Sequence, residues 1–413
     1  MALRLPVPGR RLAESLRGRR GAAARWAAWA AAHRPEGRLV WVHGASVGEA
    51  LTAEPVVRRL RTGGGNPCLV HSYSSPSVAR WRDVLGAAQA DYVPADTPEH
   101  AARALDALRP SLLVFSRGDV WPELALQAAA RDVPTVVIGA TVRPGSLRMS
   151  GPVRSLYASA LAGVSWIGAA SEEDAGRWRR AGAPSGAIEV SGDPRHDHVL
   201  EWLTDLTAIA PVQTWASAGR VLVAGSVEPS DEGPLLHAAA TVLAAAPEAR
   251  LVLVPHDPSP EVIERLSRRA RRAGVAAEIW SPGGTAPTSS RCLIAAGTGI
   301  LYHLYALATV AYVGGGFTRG RLHAAIEPAA YALPVLTGPH GGFAADGQRA
   351  AAAGGLVTAD RSDPARGIAR AWLGWLEEEG ARVAAGLAAR RSLSEGAADR
   401  TADRLTALLR DRG

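Results

Sequence analysis

Short apolar runs alternate with longer stretches in which apolar residues recur every three or four positions. The first run, residues 39–42, is rich in β-branched and aromatic residues and predicts a strand. A helical pattern follows as far as residue 60, and the same strand-then-helix order repeats along the chain. Such repeated alternation predicts parallel sheets with helices on both faces.

The alternation is interrupted once, at residues 193–219, which are mixed and more polar. We therefore predict two doubly wound, Rossmann-like α/β domains that face each other across a cleft, spanning residues 1–195 and 196–390. A final helical segment, residues 391–413, is expected to pack back on the first domain. The predicted strands are 39–42, 68–73, 91–94, 112–115, 135–139, 165–168 and 188–192 in the first domain, and 220–224, 250–255, 293–295, 309–313 and 333–337 in the second.

The junction after the first strand carries a carboxylate, in the sequence HGASVGE ending at Glu49. Ser46 and Glu49 have the spacing of a helix capping box, in which the glutamate bonds back to the serine N–H. The other interpretation is a general base at the mouth of a cleft, because ligands of parallel sheets bind where strands end and helices begin. The spacing leaves both interpretations open.

Polar or glycine-rich junctions recur in the second half, at Ser226, His256, Gly314–Gly316 and Glu327. Glycines let backbone N–H groups approach a phosphate closely, although a triple glycine alone is more typical of a flexible loop. Several such junctions along one sheet edge indicate a nucleotide site. The first junction lacks the GxGxxG pattern of dinucleotide-binding oxidoreductases, and the chain has no GxxxxGK[ST] phosphate loop.

Composition favours an anionic partner. Lys+Arg number 46 against 39 Asp+Glu, and every basic residue is an arginine. This surplus of positive charge favours binding to phosphates, acidic sugars or an anionic membrane surface. Nucleic acid is not expected, since aromatic residues make up only 5% and no stacking motif occurs.

The N-terminal region contains an Ala/Trp-rich helical pattern, residues 21–33, preceded by Arg17, Arg19 and Arg20. It is too short and too charged to span a bilayer, and no signal peptide is predicted. Docking on the domain core is the favoured interpretation, and contact with an anionic membrane surface is the alternative.

The two cysteines, Cys68 and Cys292, lie in separate apolar runs. We expect buried free thiols, because neither belongs to a metal-ligand spacing. No metal site is predicted.

Together, these motifs resemble the 3-deoxy-D-manno-octulosonic acid (Kdo) transferases of lipopolysaccharide assembly, inverting glycosyltransferases of the GT-B type. The matching segments are residues 43–49, 121–124, 171–177, 192–193, 224–232, 254–258, 304–317 and 322–340.

The resemblance implies a catalytic base, a donor and an acceptor. Glu49 matches the base, and the donor would be CMP-Kdo, bound without metal or cofactor. The residues matched to the donor side are Ser226, His256, Gly314, Gly315, Gly316, His323 and Glu327, and those matched to the acceptor side are Ser46, Gly48, Asp119 and Arg143. Glu327 would accept hydrogen bonds from the ribose hydroxyls, and the N–H groups of Gly315 and Gly316 would donate to the phosphate. The implied acceptor is of lipid A type, and the implied location is cytoplasmic, peripheral on the inner membrane.

The chain departs from the family pattern at several positions. Arg117 stands where an acidic residue is usual, Asp119 replaces a second glutamate, and Ala324 replaces an asparagine. An arginine expected near Thr141 is absent, although Arg143 follows. Arg195 stands where a lysine is common, and no N-terminal membrane anchor is expected.

The alternatives are a transferase or epimerase that uses another nucleotide sugar, and a non-catalytic descendant that binds a nucleotide. The oligomeric state is left open.

Overall fold

A computed structural model describes residues 10–63, 66–75, 78–79, 81–143, 145–146, 150–201, 206, 209–285, 290–319 and 321–410. The chain divides into two compact units. The first consists of Met1–His198 and Ser394–Gly413, and the second of Val199–Leu393. Both divisions lie within a few residues of the predicted ones, which followed residues 195 and 390.

The first unit is built on a seven-stranded sheet in the order β3-β2-β1-β4-β5-β6-β7, with all described pairs parallel. Its strands are β1 (Leu39–His43), β2 (Cys68–Tyr73), β3 (Gln89–Tyr92), β4 (Leu112–Ser116), β5 (Thr135–Ala140), β6 (Val164–Ala169) and β7 (Ile188–Val190). Its helices are α1 (Arg10–Arg19), α2 (Ala22–His33), α3 (Val47–Thr62), α4 (Trp81–Val84), α5 (Pro98–Leu108), α6 (Pro122–Ala129), α7 (Gly151–Leu161) and α8 (Glu172–Ala181), followed by α9 (Pro194–Glu201), which contains the boundary between the units.

The second unit has a seven-stranded parallel sheet in the order β10-β11-β9-β8-β12-β13-β14. Its strands are β8 (Arg220–Val227), β9 (Ala249–Pro255), β10 (Ala277–Trp280), β11 (Cys292–Ala295), β12 (Val310–Val313), β13 (Val335–Thr337) and β14 (Leu356–Thr358). Its helices are α10 (Ala210–Ser217), α11 (Pro229–Ala245), α12 (Pro260–Arg272), α13 (Leu301–Tyr305), α14 (Ile326–Ala330), α15 (Ala345–Ala352), α16 (Pro364–Glu377) and α17 (Glu379–Arg391). The prediction of two doubly wound α/β domains is confirmed.

Each sheet carries a hydrophobic core on both faces. In β1, Leu39 and Trp41 belong to one core, whereas Val40 and Val42 belong to the other, because successive side chains point to opposite faces. All five residues of β1 are buried. The interior of the sheet is therefore closed to ligands, and only the strand ends are open to them.

Helix α2 docks on the first of these cores. Trp26 is 1% exposed, its ring centroid lies 5.8 Å from that of Trp41, and its Nε1 donates to the Tyr92 carbonyl at 2.9 Å. The docking interpretation of this helix is confirmed, since the apolar face that a membrane would need is occupied.

The last helix, α18 (Ala397–Arg410), packs in the first unit. Ala398, Ala402 and Leu405 share a core with Val56 and Leu60 of α3. No helix among the described residues combines the length and the apolarity that crossing a bilayer requires.

The sequence pattern missed β10 and β14 and the helices α1, α9, α10 and α15. Both missed strands lie at an edge of the sheet and are short, so neither has the buried apolar run that marks a central strand. The expectation for the cysteines was right for Cys292, which is buried, and wrong for Cys68, which is half-buried. Burial raises the pKa of the Cys292 thiol to about 12.

Asp197 ties the start of α18 to the rest of the first unit. Its carboxylate accepts hydrogen bonds from the N–H groups of Gly396 at 2.6 Å and Ala398 at 2.7 Å, and the residue is 5% exposed. A buried carboxylate at the first turn of a helix satisfies backbone donors that have no helical partner.

We predict that Asp197→Ala lowers the free energy of unfolding by about 2 kcal/mol, because two N–H groups at the start of α18, one of them buried, lose their acceptor. Urea denaturation measures the free energy of unfolding, and hydrogen exchange of the α18 amides measures local opening of that helix. Asp399→Ala is the matched control, since Asp399 is an exposed carboxylate on α18 that pairs with Arg59 of α3, and its loss should cost less than about 1 kcal/mol. Equal effects of the two variants would contradict the prediction.

Candidate functional site

In the first sheet, the strand order reverses between β1 and β4. The connections from these two neighbouring strands leave in opposite directions, which opens a crevice at their carboxyl ends. The segments at this point are residues 44–46, which follow β1, and residues 117–120, which follow β4. Glu49 and Asp119 therefore belong to the same edge.

Glu49 lies in the first turn of α3 and is half-buried. Ser46 is the N-cap residue, but its side chain makes no capping hydrogen bond. Its hydroxyl donates instead to the Glu49 carboxylate. Among the described residues, no bond runs from the Ser46 N–H to Glu49, so the capping-box interpretation is wrong and the carboxylate remains near the surface.

Hydrogen bonds to backbone carbonyls fix the first turn of α3 and the turn before it. The Ser116 hydroxyl donates to the Glu49 carbonyl at 2.7 Å, and the Gly44 N–H donates to the Ser72 carbonyl at 3.0 Å. A Cβ on Gly44 would lie 3.3 Å from the Ala50 nitrogen, so this turn favours glycine. The position of the Glu49 backbone is thus set by β1, β2 and β4 together.

Asp119 is held by two aromatic residues. Its Oδ2 lies 3.1 Å from His43 Nε2 and 3.0 Å from the indole Nε1 of Trp121. The Arg19 guanidinium stacks over the Trp121 ring at 4.2 Å from its centroid. The Asp119 side chain is 28% exposed, whereas that of His43 is fully buried.

A buried charge cluster lies at the neighbouring strand ends. Asp193 is paired with Arg195 at 2.6 Å, and Arg117 lies 3.9 Å away. Burial opposes the carboxylate form, but the charges of Arg195 and Arg117 hold the pKa of Asp193 well below its usual range. Arg117 and Arg195, two of the positions that depart from the family pattern, thus both pair with the Asp193 carboxylate.

Arg143 follows β5 and is exposed. The segment before it is held by Asp174, whose Oδ1 accepts from the Val142 N–H at 3.0 Å and from Arg177 at 2.7 Å. Arg117 also donates to the Thr141 hydroxyl at 3.4 Å. The structure therefore gives Arg143 a fixed backbone and a side chain that faces solvent.

In the second sheet, the order reverses between β8 and β12, which places Ser226 beside the Gly314–Gly316 loop. A Cβ on Gly314 would lie 2.1 Å from the Ser226 carbonyl oxygen, and one on Gly316 would lie 2.2 Å from the Thr337 hydroxyl. Gly315 has φ +83° and would place a Cβ 2.2 Å from the Arg321 carbonyl oxygen. These contacts require glycine, so the loop is closely packed rather than a flexible spacer.

The Gly315 N–H already has a hydrogen-bond acceptor, the Asp231 carboxylate. This carboxylate accepts from the Gly315 N–H at 2.9 Å, from the Glu228 N–H at 2.8 Å and from the Tyr312 hydroxyl at 2.8 Å. Burial raises the pKa of Asp231, and these hydrogen bonds oppose the shift. The expectation that the Gly315 N–H meets a phosphate is therefore wrong, whereas Gly316 donates no hydrogen bond within the described part of the chain.

Two histidines meet beside this loop. The rings of His256 and His323 stack with centroids 4.4 Å apart, and His323 Nε2 lies 3.0 Å from the Glu228 carboxylate. The ligand atoms of these three residues lie within 4.8 Å of one another, a set of donors that can hold a divalent metal. The sequence pattern missed Glu228 and this grouping, because the three residues come from three separate junctions.

Glu327 is the second residue of the short helix α14 and is half-buried. Its charge acts on Tyr302 and Tyr305, whose pKa values are raised by burial and further raised by this carboxylate. Most of the residues matched to the donor side thus lie together: Ser226, His256, Gly314–Gly316 and His323. Glu327 lies on α14, the helix that follows them in the chain.

Comparison with known proteins identifies the family. The model of the family described as 3-Deoxy-D-manno-octulosonic-acid transferase (kdotransferase) matches residues 14–198. A 3-deoxy-D-manno-octulosonic acid transferase of Bordetella pertussis is 31% identical over 392 residues, which cover 92% of this chain and 89% of the relative. One of Haemophilus influenzae is 24% identical, with 79% of this chain and 77% of the relative covered.

Solved structures of low identity share the fold. The UDP-GlcNAc 2-epimerase of Neisseria meningitidis aligns with a TM-score of 0.67 at 14% identity, covering 90% of this chain and 100% of that one. A glycosyltransferase of Rickettsia africae aligns with a TM-score of 0.60 at 11% identity, covering 91% and 98%. The sequence comparisons carry the assignment further: this chain belongs to the 3-deoxy-D-manno-octulosonic acid (Kdo) transferase family and is a glycosyltransferase.

Proposed function

We propose that this chain transfers Kdo from CMP-Kdo to a lipid A-type acceptor, with inversion at the anomeric carbon and Glu49 as the general base. The observation that carries the proposal is the state of Glu49: it lies at the switch point of the first sheet and caps no helix. Its only side-chain hydrogen bond among the described residues comes from Ser46, which is exposed. An acceptor hydroxyl can replace that bond.

The transfer needs one base. The acceptor hydroxyl gives its proton to the Glu49 carboxylate while its oxygen forms a bond to the anomeric carbon. The bond between that carbon and the CMP phosphate breaks, and its electron pair leaves with the phosphate. General base catalysis contributes about 10²–10⁴ in rate, and the leaving phosphate requires stabilisation of charge more than a proton.

The donor would lie at the edge of the second sheet. The imidazoles of His256 and His323 and the hydroxyl of Ser226 supply polar groups for the phosphate, with the Gly316 N–H beside them. Gly314 and Gly315 serve by their small size. Gly314 lets the loop pack closely against β8, and Gly315 lets it pack against the Arg321 carbonyl. Glu327 would accept hydrogen bonds from the ribose hydroxyls.

The acceptor would lie at the edge of the first sheet. Ser46 and Gly48 flank the base, Asp119 offers a hydrogen-bond acceptor to a sugar hydroxyl, and Arg143 offers an exposed cation to an acidic group.

The acceptor is a lipid, and the described N-terminal region supports a peripheral position on an anionic membrane at the cytoplasmic face. Leu16 on α1 is 48% exposed, and Arg17 and Arg20 beside it are also exposed. An apolar residue flanked by arginines is the composition that anionic lipid surfaces attract.

We predict that Glu49→Gln lowers the rate of Kdo transfer from CMP-Kdo by at least about 10²-fold, because the amide cannot take the hydroxyl proton. Affinity for CMP, measured by calorimetry, should stay within about twofold. Glu99→Gln is the matched control, since Glu99 is an exposed glutamate in the first turn of α5, and it should transfer normally. Transfer at the unaltered rate by Glu49→Gln would remove this carboxylate from the mechanism.

At the donor edge, Gly315→Ala should weaken CMP binding by at least about tenfold, which corresponds to about 1.4 kcal/mol. The methyl group would meet the Arg321 carbonyl in a backbone conformation that alanine disfavours. Gly342→Ala is the control, because a Cβ there has nothing within 4 Å. Calorimetry measures the affinity of each variant for CMP. The same measurement with UMP tests the choice of nucleotide, since tighter binding of UMP would favour a different nucleotide sugar as the donor.

For the membrane, Arg17→Ala combined with Arg20→Ala should weaken binding to vesicles that contain anionic lipid by about tenfold or more, at about 1 kcal/mol per arginine. Sedimentation with anionic and zwitterionic vesicles measures the effect. Arg366→Ala with Arg370→Ala, on the exposed side of α16, removes the same charge elsewhere. An equal loss in both double variants would show general charge attraction rather than a role of α1.

A further inference from the structure

His43 is a buried histidine whose two ring nitrogens link Ser72 to Asp119. It is the last residue of β1, is 0% exposed, and pairs in register with Ser72 of β2. Its Nδ1 lies 2.9 Å from the Ser72 hydroxyl, and its Nε2 lies 3.1 Å from Asp119 Oδ2. Trp41, two residues earlier on the same face of β1, donates to the same Ser72 hydroxyl at 2.8 Å.

The Ser72 hydroxyl gives this chain of hydrogen bonds its direction, because among the described residues only His43 Nδ1 can accept its proton. The Trp41 indole N–H can only donate, so the Ser72 oxygen accepts from it and is free to give its own proton to His43 Nδ1. The imidazole then carries its proton on Nε2 and donates to Asp119. The Trp121 N–H, 3.0 Å from the same Asp119 oxygen, supplies a second donor.

The opposite tautomer is unfavourable. With the proton on Nδ1, Nε2 would accept from Trp121 at 2.8 Å, and its electron-rich face would then meet the Asp119 oxygen at 3.1 Å with no proton between them. The first arrangement gives each donor an acceptor, as buried polar groups require. It also leaves Asp119 as the hydrogen-bond acceptor at the end of this chain.

The chain of bonds ends on a side chain that reaches the surface. Trp41, Ser72 and His43 are each 0% exposed, whereas the Asp119 side chain is 28% exposed at the switch point of the sheet. The imidazole itself cannot reach a substrate from this position. It can act only through the carboxylate that it holds.

We propose that His43 is a positioning residue that holds the Asp119 carboxylate aimed at the crevice, where Asp119 accepts a hydrogen bond from a hydroxyl group of the sugar acceptor. The role of Asp119 toward the acceptor rests on the proposed function. Ser72 orients the imidazole, and Trp121 is the second group that holds the carboxylate.

The test compares His43→Leu, which removes both ring nitrogens, with His43→Gln, whose amide can still accept from Ser72 and donate to Asp119. We expect His43→Leu to raise the KM for the acceptor by about tenfold, with the KM for CMP-Kdo unchanged. His43→Gln should recover most of the loss. A defect that only disturbs packing would instead affect the glutamine variant as strongly as the leucine variant.

A double-mutant cycle with Asp119→Asn separates action through Asp119 from an independent effect. In the Asp119→Asn background, His43→Leu should cost less than about twofold, because the carboxylate that it positions is already gone. The same tenfold loss in both backgrounds would overturn the inference.

Trp121→Phe gives a second approach that spares the imidazole, should His43→Leu fail to fold. It removes one N–H donor to Asp119 and should raise the acceptor KM by about threefold to tenfold. Trp166→Phe is the matched control, since it removes an indole hydrogen bond to the Glu189 carboxylate at 2.9 Å in the same sheet and should leave the acceptor KM unchanged. Equal KM values for the two tryptophan variants would contradict the inference. A lack of Kdo transfer by the unaltered chain would contradict the proposed function itself.

Discussion

Helices cover both faces of each parallel sheet, so a substrate can reach the protein only where strands end. This constraint follows from the strands themselves: β1 is buried along its whole length, with Leu39 and Trp41 in one core and Val40 and Val42 in the other. Ligands of such sheets bind at the carboxyl ends of the strands. In each unit, the reversal of strand order selects one place along that edge, between β1 and β4 in the first and between β8 and β12 in the second.

The two switch points use different means to present their groups. At the first, the turn at Gly44 and the hydroxyl of Ser116 fix the start of α3, which leaves the Glu49 carboxylate at the surface. At the second, close backbone packing excludes any side chain from the glycine loop, and Asp231 fixes the loop through the Gly315 N–H. One edge thus offers a carboxylate and the other a compact polar surface, and the proposed transfer uses both.

The sequence predicted what depends on local pattern. Central strands such as β1 and β4 are continuous apolar runs, so their positions were predicted to within one or two residues. The edge strands β10 and β14 were missed because each is short and has one neighbour. The motif around Glu49 indicated a site, but the capping box that its spacing suggested does not form.

Contacts that depend on the folded backbone could not be predicted in this way. The Ser46 hydroxyl bonds to the Glu49 carboxylate rather than to the backbone, and this choice depends on the geometry of the folded turn. The partner of the Gly315 N–H is Asp231, from a helix that begins after another strand. His43 was visible within the HGASVGE motif, yet its link to Asp119 arises only when β1 and β4 pair.

The central claim is that the Glu49 carboxylate takes the proton of the acceptor hydroxyl. The most direct measurement is an experimental structure of the chain with CMP and a lipid A-type acceptor bound. The account predicts that a Glu49 carboxylate oxygen lies about 2.6–3.2 Å from the hydroxyl that receives the sugar. A bound acceptor whose hydroxyl meets another carboxylate, with Glu49 still bonded only to Ser46, would contradict it.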